Sequence, residues 1–264
     1  MPFASINDIE MYYEVHGSGP PVVFAHGSGG NHLSWWKQMP FFSQYYTCVT
    51  FDHRTFGRTS DSEEPQGRRA FADDLKALID HLDMEKVAIV AHSMGARTGF
   101  GLTVRYPERV WGVVFSGSNA GSVNDESRRI AAERRKQNEN LPPGTIKALS
   151  ARFVEENPEE AFLYRQVMRL NQRHAPDFLA VPPGYRGSTH DRLTESGVPI
   201  LYIVGEDDTM VDPRTVEIAA SQVPQAQLVK MPNAGHSVYY EQPELFNQTV
   251  LEFLRKVVPC ETGK

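Results

Sequence analysis

Six short, continuous apolar runs, set apart by stretches of helical periodicity, constrain this chain more than any other feature. They occupy residues 21–25, 47–51, 87–91, 110–115, 199–204 and 227–231. A strand with one wet face alternates apolar and polar residues. A continuous run is buried on both faces, as in a parallel sheet covered by helices. Between the runs, Phe71, Leu75, Leu78 and Leu82 recur at i, i+4, i+7 and i+11, and Phe246, Val250, Phe253 and Val257 repeat the pattern. The stretch 94–106 carries Gly95, Gly99 and Gly101. Glycine weakens a helix, so three of them predict close packing against the sheet. Ahead of the first run, residues 3–6, a turn at Asn7-Asp8 and residues 9–15 read as a hairpin. The β-α-β-α order predicts an α/β protein with a mostly parallel, doubly wound sheet flanked by helices.

The alternation lapses between residues 121 and 190, which contain no convincing strand. Leu163, Val167 and Leu170 are spaced as on a helix, and Pro142-Pro143-Gly144, Asn157-Pro158 and Pro182-Pro183-Gly184 punctuate the stretch. It reads as a helical insertion after the sixth strand, dividing the chain into core 1–120, cap 121–190 and core 191–264. A lid there would cover the carboxyl edge of the sheet, where open α/β sheets bind ligands. The alternative is an excursion with no part in binding, although long ordered insertions usually serve function. The insertion holds 11 Lys and Arg against nine Asp and Glu. Arg152, Arg165, Arg169 and Arg173 either meet an anionic substrate or form a solvated face with i, i+4 partners. Phe153, Phe162, Tyr164, Phe178 and Tyr185 either line an apolar pocket or anchor the cap.

Composition narrows the function classes. The 264 residues, 40% of them hydrophobic, suffice for a sizeable core. A net charge of −6 argues against a nucleic-acid groove, which needs a clustered positive face. No apolar run approaches the roughly 20 residues needed to cross a bilayer, and the first residues lack the pattern of a signal peptide. The only cysteines are Cys48, in an apolar run, and Cys260, near the end; free thiols fit a reducing compartment. The expectation is a cytoplasmic protein, monomer or homodimer, acting on a small molecule, with no nucleic-acid or membrane partner.

Ala91-His92-Ser93-Met94-Gly95 directly follows one apolar run and opens the glycine-rich helix. Small residues two before and two after a serine suit a strand-to-helix turn so tight that larger side chains collide, and the turn lifts the serine hydroxyl above the sheet edge. A serine needs a base to become a nucleophile. In the order serine, acid, histidine, Gly205-Glu206-Asp207-Asp208 follows one later run and Asn233-Ala234-Gly235-His236 follows another. His236 is the candidate base. Asp208 is the preferred acid with Asp207 its rival, while Asp212-Pro213 reads as the start of a helix. His16, His32, His53 and His81 read as solvated or structural; His26 and His92 flank the site without following the acid, and His174 and His190 fall in the insertion. Amide donors for a developing oxyanion are expected from Met94, after the nucleophile, and from Ser28, in His26-Gly27-Ser28-Gly29-Gly30. That loop lacks the G-x-G-x-x-G and Lys-Ser/Thr marks of a phosphate cradle. His26, Gly27, Gly29, His92, Val211 and Tyr164 are candidate pocket residues. No metal or organic cofactor is called for.

These residues resemble the α/β-hydrolase superfamily, in its single-domain members with a helical cap. The resemblance spans nearly the whole chain: His26-Gly27, Asp52-His53-Arg54-Thr55-Phe56-Gly57-Arg58-Thr59, the elbow at Ser93, Tyr106-Pro107-Glu108-Arg109-Val110, Gly205 to Asp208, and Gly235-His236. It implies a hydrolase that cleaves a small carboxylic ester or lactone through an acyl-enzyme on Ser93. A serine nucleophile excludes the aspartate chemistry of haloalkane dehalogenases and epoxide hydrolases. Carbon–carbon hydrolases of diketones look similar around Ser93-Met94-Gly95 but often carry Asn where this chain has His92. Cofactor-free oxygenases, perhydrolases and lyases share the scaffold. So do hormone-receptor-like proteins, in which the lid answers to a slowly turned-over ligand. Alanine replaces the family's frequent glycine at 91 and 96. Thr55 stands where glycine is common, which argues against a positive φ at that turn.

Overall fold

The structure, a computed structural model, describes residues 2–62, 66–172 and 190–259. Arg173, His174, Phe178, Tyr185, the 182–184 turn and Cys260 lie outside the described residues. Eight strands form one sheet: β1 (Phe3–Ile6), β2 (Ile9–His16), β3 (Pro21–Ala25), β4 (Thr47–Phe51), β5 (Val87–His92), β6 (Val110–Ser116), β7 (Ile200–Gly205) and β8 (Ala226–Met231). Their spatial order is β1-β2-β4-β3-β5-β6-β7-β8. The β1–β2 hairpin and the β2–β4 pairing are antiparallel and every other pair is parallel. Asn7 and Asp8 both take positive φ, as a tight two-residue hairpin turn requires.

The helices are α1 (Met39–Phe42), α2 (Phe71–His81), α3 (Gly95–Arg105), α4 (Asp125–Asn138), α5 (Ala151–Glu156), α6 (Pro158–Arg169), α7 (His190–Ser196), α8 (Pro213–Ser221), α9 (Val238–Glu241) and α10 (Pro243–Val257). The continuous apolar runs supply two cores at once. Val23, Ile89, Ala91, Val113, Phe115, Ile200 and Tyr202 point to one face, with α2, α3, α7 and α8. Val22, Phe24, Ala88, Val90, Val114, Leu201 and Ile203 point to the other, with α1, α9 and α10. β5 and β7 are buried at every residue. β8 departs from this expectation: only Met231 is buried, because an edge strand lacks a neighbour on one side.

The three glycines of α3 do different things. An added Cβ at Gly95 would lie 2.4 Å from the Ala25 carbonyl oxygen, and one at Gly99 would touch Val113, Ala91 and Ile89, so both hold the helix against the sheet. At Gly101 the obstacle is Ala72 of α2, at 2.5 Å. Between β6 and β7 lie α4, α5, α6 and α7, with no strand among the described residues. The apolar spacing on α6 does not mark its buried face: Leu163 and Leu170 are exposed, whereas Ala161 and Tyr164 are buried.

The chain leaves β3 toward β4 and then returns across β3 to build β5. This reversal is where a doubly wound sheet opens a crevice at its carboxyl edge. Pairing of Ala25 with Ala91, His92 with Ser116, and Gly205 with Met231 brings the ends of β3, β5, β7 and β8 to that one edge.

Candidate active site

The elbow is built from β5 into α3. Ser93 has φ +50, a left-handed conformation that strains a residue with a side chain, and its N–H donates to the Ser116 carbonyl at 2.8 Å. Gly95 permits the crossing over β3, and Gly27 permits the loop after β3 to pass beside it. A Cβ on Gly27 would come within 2.7 Å of the His92 ring and 3.2 Å of the Ser93 Cβ. Two loops therefore meet in van der Waals contact around one hydroxyl.

His236 Nε2 lies 2.9 Å from Ser93 Oγ, and His236 Nδ1 lies 2.8 Å from Asp208 Oδ2. The imidazole and the carboxylate are almost fully buried. The other Asp208 oxygen accepts the N–H groups of Met210 and Val211, each at 2.8 Å, so the carboxylate is fixed before it meets the ring. Gly205 lets β7 close on the histidine loop, since a Cβ there would be 2.2 Å from the carbonyl oxygens of Ala234 and Gly235. Asp207 faces solvent and does not reach His236. Asp212 caps α8, accepting Arg214 N–H at 3.1 Å with Pro213 in the first turn.

Above these groups lies a cavity of about 420 Å³ lined by the 27–30 loop, His92, Ser93, residues 144–148, Tyr164, Arg165, Met168, Met210, His236 and Tyr239. Among the described residues, the amide N–H groups of Ser28 and Met94 donate to no other protein group. His92 donates through Nδ1 to the Ser116 carbonyl at 3.2 Å; burial and the neighbouring His236 hold its pKa well below the usual value, so it is a neutral ring. The Tyr164 hydroxyl meets Ser237 Oγ at 2.9 Å, and burial pushes its pKa up to about 12.

Of the candidate pocket residues, Gly27, Gly29, His92 and Tyr164 line the cavity, and His26 and Val211 do not. His26 is fully buried behind the loop, with Nδ1 on the Gly27 carbonyl at 2.8 Å and Nε2 accepting His53 N–H at 3.0 Å. Its ring holds the loop in shape and faces away from the cavity. Val211 contributes its N–H to Asp208, and Met210 takes the wall instead. Thr55 also corrects the sequence reading: its φ is +70. The turn is closed by Phe56 N–H on the His53 carbonyl at 2.9 Å, with Thr55 at its third position, and is held at its far end by Arg58 N–H on Asp52 at 2.8 Å. The arginines of the segment between β6 and β7 separate: Arg152 pairs with Glu156 at i, i+4, whereas Arg165 borders the cavity. Residues 144–148, Met168, Met210 and Tyr239 were not legible as lining. They converge from separate segments, and only Met210, two residues after Asp208, and Tyr239, three after His236, stood beside a candidate catalytic residue.

Among the described residues, no helix is long and apolar enough to cross a membrane. A family model described as the alpha/beta hydrolase fold matches residues 20–189 and 179–243. A putative carbamate hydrolase, RutD, of Agrobacterium fabrum is 27% identical over 263 residues, covering 92% of this chain and 98% of that one. A putative non-heme bromoperoxidase, BpoC, of Mycobacterium tuberculosis is 30% identical over 270 residues, covering 94% and 99%. A thermophilic esterase from Thermogutta terrifontis, solved with malate bound, superposes with a TM-score of 0.78 at 26% identity and 97% coverage of both chains. Sheet order, elbow and whole-length similarity lead to one assignment: the chain belongs to the alpha/beta hydrolase fold family.

Proposed function

We propose that this protein is a serine hydrolase of small carboxylic esters or lactones, with Ser93 as nucleophile, His236 as general base and acid, and Asp208 as the orienting carboxylate. The observation that carries the reading is the continuous hydrogen-bonded chain from Ser93 Oγ through His236 to Asp208, at 2.9 and 2.8 Å, on the floor of the cavity. In the first step Ser93 Oγ attacks the substrate carbonyl as His236 Nε2 takes its proton. Asp208 keeps the proton on Nδ1 and stabilises the imidazolium. The N–H groups of Met94 and Ser28 face the developing oxyanion, where fixed donors act most strongly. His236 returns the proton to the leaving alkoxide, releasing the alcohol. It then activates a water that attacks the acyl-enzyme, and the acid leaves.

The names of two relatives, an esterase and a putative carbamate hydrolase, both denote hydrolysis at an acyl carbon bearing a heteroatom leaving group. The segment between β6 and β7 acts as the cap in this reading, since residues 144–148, Tyr164 and Met168 form the wall facing Ser93. The test is a turnover screen of aryl esters, lactones, aryl carbamates and diketones with wild type and Ser93→Ala. Ser93→Ala is expected to keep its fold and lose at least about 10³-fold in kcat/KM on an ester or lactone. Activity within tenfold of wild type would remove Ser93 from the mechanism. Ser93-dependent cleavage of diketones alone would move the reaction to carbon–carbon bonds, and a single slow turnover would indicate a ligand receptor.

A further inference from the structure

Glu241 is a buried carboxylate that the proposed steps leave unused. It ends α9, five residues after His236, and only 9% of it is exposed. Its Oε1 accepts the N–H of Gly235, the residue before His236, at 3.0 Å. Its Oε2 accepts the Ser150 hydroxyl at 2.6 Å, and the Ser150 N–H lies 3.2 Å from both oxygens. Ser150 is the N-cap of α5, in the segment between β6 and β7. One carboxylate thus joins the histidine loop to the inserted segment.

Burying an ionised carboxylate is costly unless donors surround it. Here burial pushes the pKa up, and the bonds from Ser150 and Gly235 oppose that push. The approach requires glycine: a Cβ on Gly235 would lie 2.5 Å from Ser150 N and 2.8 Å from Glu241 Oε1. Neighbouring bonds continue the join. Ser237 N–H donates to the Ala148 carbonyl at 2.9 Å, and the Thr209 hydroxyl donates to the Lys147 carbonyl at 3.0 Å. Residues 144–148, which wall the cavity, are therefore continuous with a strap tied to both the His236 and the Asp208 loops.

We propose that Glu241 is a positioning residue: its carboxylate sets His236 against Ser93 and Asp208, and couples that setting through Ser150 to the cavity wall formed by residues 144–148. The chemical consequence rests on the serine-hydrolase reading above; the placement of the imidazole does not. Glutamine is isosteric but uncharged: one of the two oxygen places becomes an amide that donates toward the Gly235 N–H or toward the Ser150 hydroxyl, so the charge is lost and the three donor bonds cannot all persist in their present directions. The loop then shifts, and a displacement of about 1 Å at a reacting group can cost roughly 10²-fold.

The experiment compares Glu241→Gln and Ser150→Ala with wild type by three readouts. These are kcat and KM on an aryl ester, the rate of Ser93 labelling by a fluorophosphonate, and the downfield proton resonance of His236 Nδ1–H. For Glu241→Gln, kcat and labelling are expected to fall together by about 10- to 100-fold with KM within threefold, and the resonance to move or broaden. Ser150→Ala keeps the Gly235 bond, so a loss below tenfold is expected. A Glu241→Gln protein with a lower melting temperature but wild-type kcat, labelling and resonance would overturn the proposal. If Glu241→Gln does not fold, Ser150→Ala decides, and unchanged kcat and resonance in it would overturn the proposal. A wild type that neither labels at Ser93 nor turns over ester sinks the hydrolase reading, while the resonance still reports on Glu241.

Discussion

The loops at the ends of β3, β5, β7 and β8 and the segment between β6 and β7 face each other across the same cavity, yet they are held by different forces. The first group is wedged. Gly27, Gly95 and Gly205 sit where even a methyl group would strike backbone or ring, and β3, β5 and β7 beneath are buried at almost every position. The second is laced. Helix α4 buries only Ser127 and Ile130, α5 buries nothing, and Phe162, Leu163 and Met168 on α6 are exposed. Ile146, Leu149, Ala161 and Tyr164 pack into the core, and side-chain hydrogen bonds hold the rest: Asn31 to the Val167 carbonyl at 3.0 Å, Asn138 to the Thr209 carbonyl at 2.7 Å, and Arg134 to Asp212 at 2.7 Å. Close packing resists displacement and preorganises reacting groups, whereas a few hydrogen bonds worth about 1 kcal/mol each permit a wall to adapt. Under the proposed function, chemistry would belong to the wedged side and selectivity to the laced side.

The sharpest way to break this division is on the wedged side. Asp208→Asn should leave the cavity intact but favour the wrong imidazole tautomer, costing about 10³- to 10⁴-fold in kcat. Asp207→Asn, at the exposed neighbour, should stay within threefold in the same steady-state assay. Equal losses would mean that the buried geometry of Asp208 does not matter.

A second test addresses the joint between the two sides. Burial raises the carboxyl of Asp212, but hydrogen bonds from Arg214 and Arg134 overcome this and bring it down to about 2. A carboxyl depressed in the folded state stabilises the protein above its unfolded pKa, and this contribution is lost as pH falls from about 4 through 2. Asparagine still caps a helix, so Asp212→Asn isolates the charge. Denaturant unfolding at pH 7 should show a loss of about 1–2 kcal/mol, discounted for the solvent around Arg214. That difference should shrink to a few tenths of a kcal/mol, about RT ln 2, near pH 2, and a difference that keeps its pH 7 size there would refute the ion-pair account.

The smallest effect is expected on the laced wall. Met168 lies beside Gly29, its Cε 3.1 Å from where a Cβ would stand, and lines both the main cavity and a smaller hollow toward Trp36. Met168→Ala should open one into the other. The preferred acyl chain should lengthen, with kcat/KM on longer aryl esters rising less than tenfold and kcat on acetate unchanged. A fall in kcat on every ester would place Met168 with the wedged groups.

Much of the fold was legible because burial on two faces leaves a mark in sequence. The runs at 87–91 and 199–204 predicted strands buried on both faces, and β5 and β7 are those strands, β5 one residue longer at its end and β7 shifted by one residue. The elbow pattern was legible because steric exclusion dictates residue size two positions either side of Ser93. His26 and Val211 were misplaced because adjacency in sequence does not say which way a ring or side chain turns. Their directions depend on His53 and Asp208, 27 and three residues away. Thr55 was misread because local steric preference yielded to a turn closed by Phe56 N–H on the His53 carbonyl and tied to Asp52 by Arg58 N–H.

By itself the sequence determined the sheet, the order of the three polar groups along the chain, and the glycines that let them approach. These follow from hydrophobic period and steric size, both local properties. Only the tertiary structure decided that Asp208 rather than Asp207 reaches His236, that Met210, Met168 and Tyr239 close the cavity, and that Glu241 spans from the histidine loop to Ser150. Those outcomes depend on hydrogen-bond direction and on contacts between residues as far as 91 positions apart, which no local pattern encodes.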